Sequence, residues 1–368
     1  MSHRWLTLEL PSLQVIYEHM TSMKEPTIYD LAERLNLSSS TVSRALSNYK
    51  SVSKKTRRRV FELAEKVGYR KNNFASQLRN QKTHTIGVIA HDLNSAFITS
   101  VLSGIEKVAT ESRYNIIIGH SGESRAKEMA NADNFFHKRV DGLIASLAHD
   151  TITLNHYDLF VERGIPVVFF DRVAMDAPGI KVVIDNSRAG YNAAKHLIEQ
   201  GCKRIMHVTA DLSKNVYAER LAGFKEALLE HKQLFEPDQV VVTKLNEQAG
   251  IEVARQILDM EIKPDGIFIT NDLCASVCMQ YLKGNGIRVP QDIAVVGFNN
   301  DVISRVVEPK LTTVNYSGRE MGEVAATNLL VQLNRGISDH PSYTIVLGSD
   351  LIIRDSSLKR AINLRMIL

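Results

Sequence analysis

Between Ser38 and Leu46 the chain reads SSSTVSRAL, which gathers five hydroxyl side chains and one guanidinium into nine positions. Hydroxyl side chains compete for backbone hydrogen bonds and usually mark caps and turns, so a short helix holding this many is built for contact rather than for intrinsic stability. On a helical wheel Val42, Ala45 and Leu46 point one way. Ser40, Arg44 and Ser47 point the other, with Ser43 flanking and Ser39 at the N-terminal tip. Small hydroxyls let a backbone come close to a flat polar partner. An arginine among them can pair with a guanine edge or clamp a phosphate. A solvated surface helix can be written in the same residues, so the surroundings have to decide.

They carry positive charge. Lys50, Lys54, Lys55, Arg57, Arg58, Arg59, Arg70 and Lys71 follow closely, a density suited to phosphate contacts, although part of the run is also the wet side of a helix. Up to Lys82 there are 15 Lys+Arg against 7 Asp+Glu, and beyond it 30 against 34. A basic front on an acidic body points to a polyanion partner for the front alone. Other chemistry is not written in recognisable form. There is no GxGxxG after the first strand, no GxxxxGK[ST], and no HExxH, which argues against a nucleotide or zinc enzyme. Cys274 and Cys278 are four apart on an expected helix, but no further ligand lies at zinc-like spacing, so packing explains them and no metal or cofactor is expected. Three cysteines suit a reducing compartment. No run reaches the roughly 20 apolar residues of a membrane span, and the N-terminus lacks a signal pattern. A cytoplasmic protein without membrane contact is expected.

The elements that must hold the serine face in place are three short helices. Thr27 with Asp30 makes a capping box, and Ile28, Leu31, Ala32 and Leu35 form one apolar stripe. Ser38 caps the second helix after the turn NLS. Ser53 caps the third, whose inner side is Val60, Leu63, Ala64 and Val67, with Gly68 ending it. Beyond Thr83 the rhythm changes. Apolar runs at 85–90, 115–119, 142–146, 167–170, 182–184, 204–209, 239–243, 266–270 and 294–298 alternate with amphipathic stretches. Strands buried on both faces and separated by helices imply parallel sheets, and so many imply two lobes. The fold class is therefore α/β, a three-helix helix-turn-helix domain and a short polar linker followed by a two-lobed body of parallel, doubly wound sheets.

The segments TIYDLAERLNLSSSTVSRALSNYKSVSKKTRRRVFELAEKVGY and ASQLRNQKTHTIGVIAHDLNSAFITSVLSGIEKVA resemble the lactose-repressor (LacI/GalR) family of bacterial transcription factors, and the likeness runs from about Thr27 to about Ser356. It implies an extension at 1–25 (or a start at Met23), a DNA-binding domain at 26–71, a hinge helix at 72–83, and a periplasmic-binding-protein-like body at 84–358 with a short tail at 359–368. It places one lobe at 84–184 and 316–340 and the other at 185–315 and 341–358. By the same resemblance Ser39, Ser40 and Arg44 read bases in the major groove, while Tyr29 and Ser43 seat the helices on the DNA backbone. Asn72, Ala75 and Leu78 belong to the hinge, with Leu78 the wedge driven into the minor groove; simple packing under the first lobe is the alternative for Leu78. Lys71 and Ser76 stand where the family commonly has a proline and an arginine, so minor-groove contacts that differ in detail from the family's are expected.

For the body, the resemblance assigns an effector to Ser95 and Phe97, to Asp171 and Arg172, to Arg220, to Asn271 and Asp272, and to Asn299. Most of these follow strand ends, where ligands bind in such sheets. Asp272 could instead cap a helix, and Asp171 could serve a turn. Asn299 stands where relatives often have a carboxylate, and Leu245 where they often stack an aromatic ring. A sugar, uronate or sugar phosphate is the expected ligand, and an operator bound by a homodimer the expected DNA partner, since a two-fold site needs a two-fold protein. The tail KRAINLRMIL is too short for a tetramerising coil. A transporter's solute-binding protein is the competing reading; it would need a leader and no basic front.

Overall fold

The computed structural model describes residues 26–69, 82–335 and 342–359, in two compact units divided between Lys82 and Thr83. The extension before Pro26, the hinge positions Asn72, Ala75 and Leu78 with Lys71 and Ser76, and the last nine residues lie outside the described residues. The first unit holds α1 (Ile28–Leu35), α2 (Ser39–Leu46) and α3 (Lys54–Lys66). Each starts on the cap its sequence offers: Thr27 with Asp30 closes the capping box, and the hydroxyls of Ser38 and Ser53 accept from the backbone of Thr41 and Thr56. Asn36 supplies the left-handed turn at φ 52°. Leu31, Ala32, Val42, Ala45, Val52, Val60 and Ala64 form the core.

The second unit begins with β1 (Thr85–Ala90), α4 (Ala96–Glu111), β2 (Asn115–His120), α5 (Arg125–His137), β3 (Gly142–Ala145), α6 (Asp158–Glu162), β4 (Val167–Phe170) and β5 (Ile180–Ile184). The chain then crosses into α7 (Asn186–Glu199), β6 (Ile205–Thr209), α8 (Asn215–Glu230), β7 (Val240–Val242), α9 (Glu247–Asp259), β8 (Gly266–Ile269), α10 (Asp272–Gly284), β9 (Ala294–Asn299), α11 (Ile303–Val306) and β10 (Thr312–Asn315). It returns through α12 (Gly318–Arg335) to β11 (Thr344–Leu347) and ends on β12 (Leu351–Ile352). Two six-stranded sheets result, in the orders β11-β5-β4-β3-β1-β2 and β12-β10-β9-β8-β6-β7. All pairings are parallel except β12 against β10.

One boundary differs from the expectation. Residues 341–358 do not all belong to the second lobe, because β11 pairs with β5 in the first sheet and only β12 reaches the second. The chain thus crosses between lobes once more, after Leu347. Each lobe also carries a crossing of two helices at glycine. A Cβ on Gly223 of α8 would lie 1.8 Å from Ser187 O, and one on Gly322 of α12 would lie 2.0 Å from Val101 O. Among the described residues no helix is long and apolar enough to cross a membrane.

Candidate functional site

In the first unit, α2 turns Val42 and Ala45 into the core and leaves Ser40 and Arg44 exposed, with Ser39, Ser43 and Ser47 at the margins. The Ser38 hydroxyl gathers the helix start, lying 3.0 Å from Ser40 Oγ and 2.8 Å from Thr41 Oγ1. Arg44 Nε donates to Ser40 O at 3.2 Å, which lays the arginine back along its own helix while the ends of the guanidinium stay exposed. Tyr29 projects from α1, 71% exposed, and Tyr49 projects from the loop after α2. That loop is fixed from α3 by Arg57, which donates to Asn48 Oδ1 and to Val52 O. The result is a slim polar rod beside two exposed phenols and a basic helix, able to donate and accept along one face.

In the second unit a cleft of about 470 Å³ opens between the lobes. Its floor is made by groups that follow strands. Asp171, just after β4, is buried with φ 59°; Tyr316, just after β10, donates to its Oδ1 at 2.6 Å. The other carboxylate oxygen has no partner among the described residues. Burial raises this carboxyl above the ordinary range, against the pull of Arg172, Tyr316 and Arg220. Arg220 comes from α8, where Gly190 of α7 lets the Arg220 backbone approach closely. Its Nε donates to Asn186 Oδ1 at 2.9 Å, its guanidinium lies 3.6 Å over the Phe298 ring, and its terminal nitrogens have no hydrogen-bond partner among the described residues. Phe97 stacks on Tyr316 with centroids 4.0 Å apart.

Seven of the eight expected body residues line this cleft: Ser95, Phe97, Asp171, Arg172, Arg220, Asn271 and Asn299. Ser95 and Asn271 also cap α4 and α10, accepting from Ile98 N and Cys274 N. Asp272 does not line it. Its carboxylate is fully buried, accepting from Thr313 Oγ1 at 2.7 Å and from Asp301 N at 2.8 Å, so it ties β10 to the loop after β9. The helix cap is Asn271, not Asp272. Burial pushes the Asp272 carboxyl up to about 7. Cys274 and Cys278 are buried in the second lobe's core, where burial raises both thiols. Tyr316, Glu123 and Tyr217 were not anticipated. Glu123 sits just past a strand end, as Asp171 does, so that placement would have found it; Tyr316 follows a strand too rich in threonine to read as one.

A fold that joins a hydroxyl-and-arginine reading helix to a two-lobed ligand cleft is that of a DNA-binding regulator. The comparisons agree. Residues 27–72 match the bacterial regulatory proteins of the lacI family, and residues 194–357 match a periplasmic binding protein-like domain. The chain is 32% identical to catabolite control protein A of Priestia megaterium over 314 residues, 85% of this chain and 94% of that one. It is 26% identical to a solved complex of the transcriptional regulator CelR with cellobiose, with TM-score 0.68, over 90% of this chain and all of that one. A lac repressor dimer bound to operator and an anti-inducer shares the fold, with TM-score 0.79 at 24% identity over 91% of this chain and all of that one. The chain belongs to the lacI family of bacterial regulatory proteins, and it is a DNA-binding transcriptional regulator.

Proposed function

We infer that the protein is a repressor of genes for carbohydrate use, that it binds a palindromic operator as a homodimer, and that a small polyhydroxy compound in the cleft controls it. The observation that carries the ligand reading is one pairing. The second carboxylate oxygen of Asp171 and the terminal guanidinium nitrogens of Arg220 belong to residues that line the same cleft, and none of them has a hydrogen-bond partner among the described residues. Such a pair accepts from one hydroxyl and donates to its neighbour, the pattern a vicinal diol satisfies. Phe97, stacked on Tyr316, gives the apolar surface that a ring's C–H face needs. The CelR structure was solved with cellobiose and a family member from Enterococcus faecium with ribose, which favours the same ligand class here.

On the DNA side, Ser39, Ser40 and Arg44 are the proposed base readers, Tyr29 and Ser43 the backbone contacts, and Asn72, Ala75 and Leu78 the minor-groove hinge. Ligand and DNA then exchange affinity by linkage, since whatever lobe arrangement the ligand prefers must be shared with, or withheld from, the operator. Selection of random duplexes by the full chain tests the whole reading. The expected product is a palindrome whose affinity shifts when a sugar is added. A selected pool with no two-fold symmetry, or one indifferent to every sugar that binds the protein, would refute it.

A further inference from the structure

Arg172 stands at a position assigned to the ligand, yet its guanidinium is already engaged. Nη1 donates to both carboxylate oxygens of Glu123, at 2.9 and 2.7 Å, and Nη2 donates to the Tyr217 hydroxyl at 3.3 Å. Glu123 is held from its other side, because His149 N donates to Oε2 at 2.9 Å, and its backbone lies in the left-handed region at φ 61°. The Arg172 carbonyl is fixed as well, accepting from Leu147 N. Both ends of the ion pair are therefore anchored to backbone. Both residues line the cleft, and of the two side chains Glu123, 39% exposed, is more accessible than Arg172, 10% exposed.

The rest of the lining does not make up the lost cation. With that pair set aside, the charged lining is Asp92, Asp171 and Asp301 against Arg220 and Lys244, and Lys244 is exposed. A ligand carboxylate or phosphate on the floor would meet Arg220 only together with Asp171 and Glu123, where limited water leaves like charges poorly screened. A hydroxyl faces no such repulsion and still finds donors and acceptors.

We propose that Glu123 sets the charge of the ligand: by occupying Arg172 it confines the cleft to uncharged polyhydroxy compounds and turns away uronates and sugar phosphates. This rests on the reading of the cleft as a polyol site, and it narrows the range of ligands the sequence suggested. Specificity here comes from an unfavourable encounter with the wrong ligand as much as from contacts with the right one.

The test is calorimetry on the full chain with matched sets of aldose, uronate and aldose phosphate in the gluco, galacto and manno series. At least one aldose should bind, at least tenfold more tightly than its acidic partners. Glu123→Gln keeps the side chain's shape and its acceptor for His149 N but frees the Arg172 charge. It should narrow the aldose-to-acid ratio at least tenfold, through a gain for the acids. An acid that binds the unmodified chain as tightly as its aldose would overturn the role of Glu123 and leave the polyol site standing, as would an unchanged ratio in Glu123→Gln. Failure of every compound would overturn the polyol site and this proposal together. Should Glu123→Gln not fold, Arg172→Met replaces it; discrimination against acids must then persist or deepen, and an acid bound more tightly than by the unmodified chain refutes the proposal.

Discussion

Tyr316 and Asp171 meet from the two halves of the chain, one just past β10 and one just past β4, and the phenol donates to the carboxylate at 2.6 Å. The bond directs one oxygen of Asp171 into the floor and leaves the other for the ligand. It also opposes the upward shift that burial gives the carboxyl. Tyr316→Phe keeps the ring stacked on Phe97 and removes only the donor. Asp171 should then protonate at higher pH, and ligand affinity should fall near neutrality by at most about 1.5–3 kcal/mol, the worth of one hydrogen bond to a charged group. The loss should grow as pH drops. Calorimetry at pH 5.5 and 8 checks this, and equal losses at the two pH values would show that the hydroxyl acts without the carboxylate.

Arg44 lies along α2 with Nε on Ser40 O and the outer end of its guanidinium exposed. Arg44→Ala should relax base preference at one position of each half-site and cost roughly 1–3 kcal/mol on the selected operator. Competition between the operator and single-base variants, read by fluorescence anisotropy, measures both effects. If affinity for scrambled duplex fell by the same factor, the residue would be a phosphate clamp and not a reader.

The approach of α7 to α8 depends on the absence of side chains. A Cβ at Gly223 would lie 1.8 Å from Ser187 O, and the obstructing atom is backbone, which cannot rotate away. Gly223→Ala should therefore destabilise the second lobe by about 1–3 kcal/mol or more through overpacking. Because Arg220 lies on α8 and is bonded to Asn186 on α7, ligand affinity should fall along with the melting temperature. Gly284→Ala, at the end of α10 with open space around it, is the control and should lower neither.

How much of this was legible from residues alone follows from what holds each part together. The three front helices announce themselves, since caps and apolar stripes are local, and Thr27, Ser38 and Ser53 act where their types suggest. The nine apolar runs are all strands; seven are buried by helices, whereas β2 and β7 are partly exposed edges that an apolar sequence still marks. The three that escaped notice bury or expose other chemistry. β10 is TTVN, and its buried threonines are admissible only because Thr312 meets Ser357 and Arg354 O, and Thr313 meets Asp272, all far off in sequence. β11 and β12 are short edge strands, partly exposed, whose sheet is fixed by partners and not by pattern. The same limit explains the floor of the cleft. Position after a strand suffices to suggest Asp171, but whether a carboxylate keeps one oxygen for a ligand, as Asp171 does, or has both engaged, as Asp272 does, is decided by donors brought from distant strands.

Asp272 yields the last prediction. Its carboxylate is pressed against β9, where a Cβ on Gly297 would sit 2.2 Å from Oδ1, and burial raises its pKa to about 7. Unfolded, it would ionise near the ordinary carboxylate value of about 4. Between those limits the folded chain holds a proton that the unfolded chain has released, so this group's contribution to stability is full below about pH 4 and is lost as pH rises toward 7. Buried His207 acts in the opposite sense, since burial lowers its pKa to about 3 and folding there excludes a proton. The net pH profile of the whole chain therefore hides both. The difference between the unmodified chain and Asp272→Asn does not. The asparagine should lower stability outright, because its amide cannot accept from both Thr313 and Asp301 N, while making the melting temperature fall less between pH 5 and 8. Parallel melting curves across that range would mean that Asp272 is ionised in the fold throughout, held by its two donors in spite of its burial.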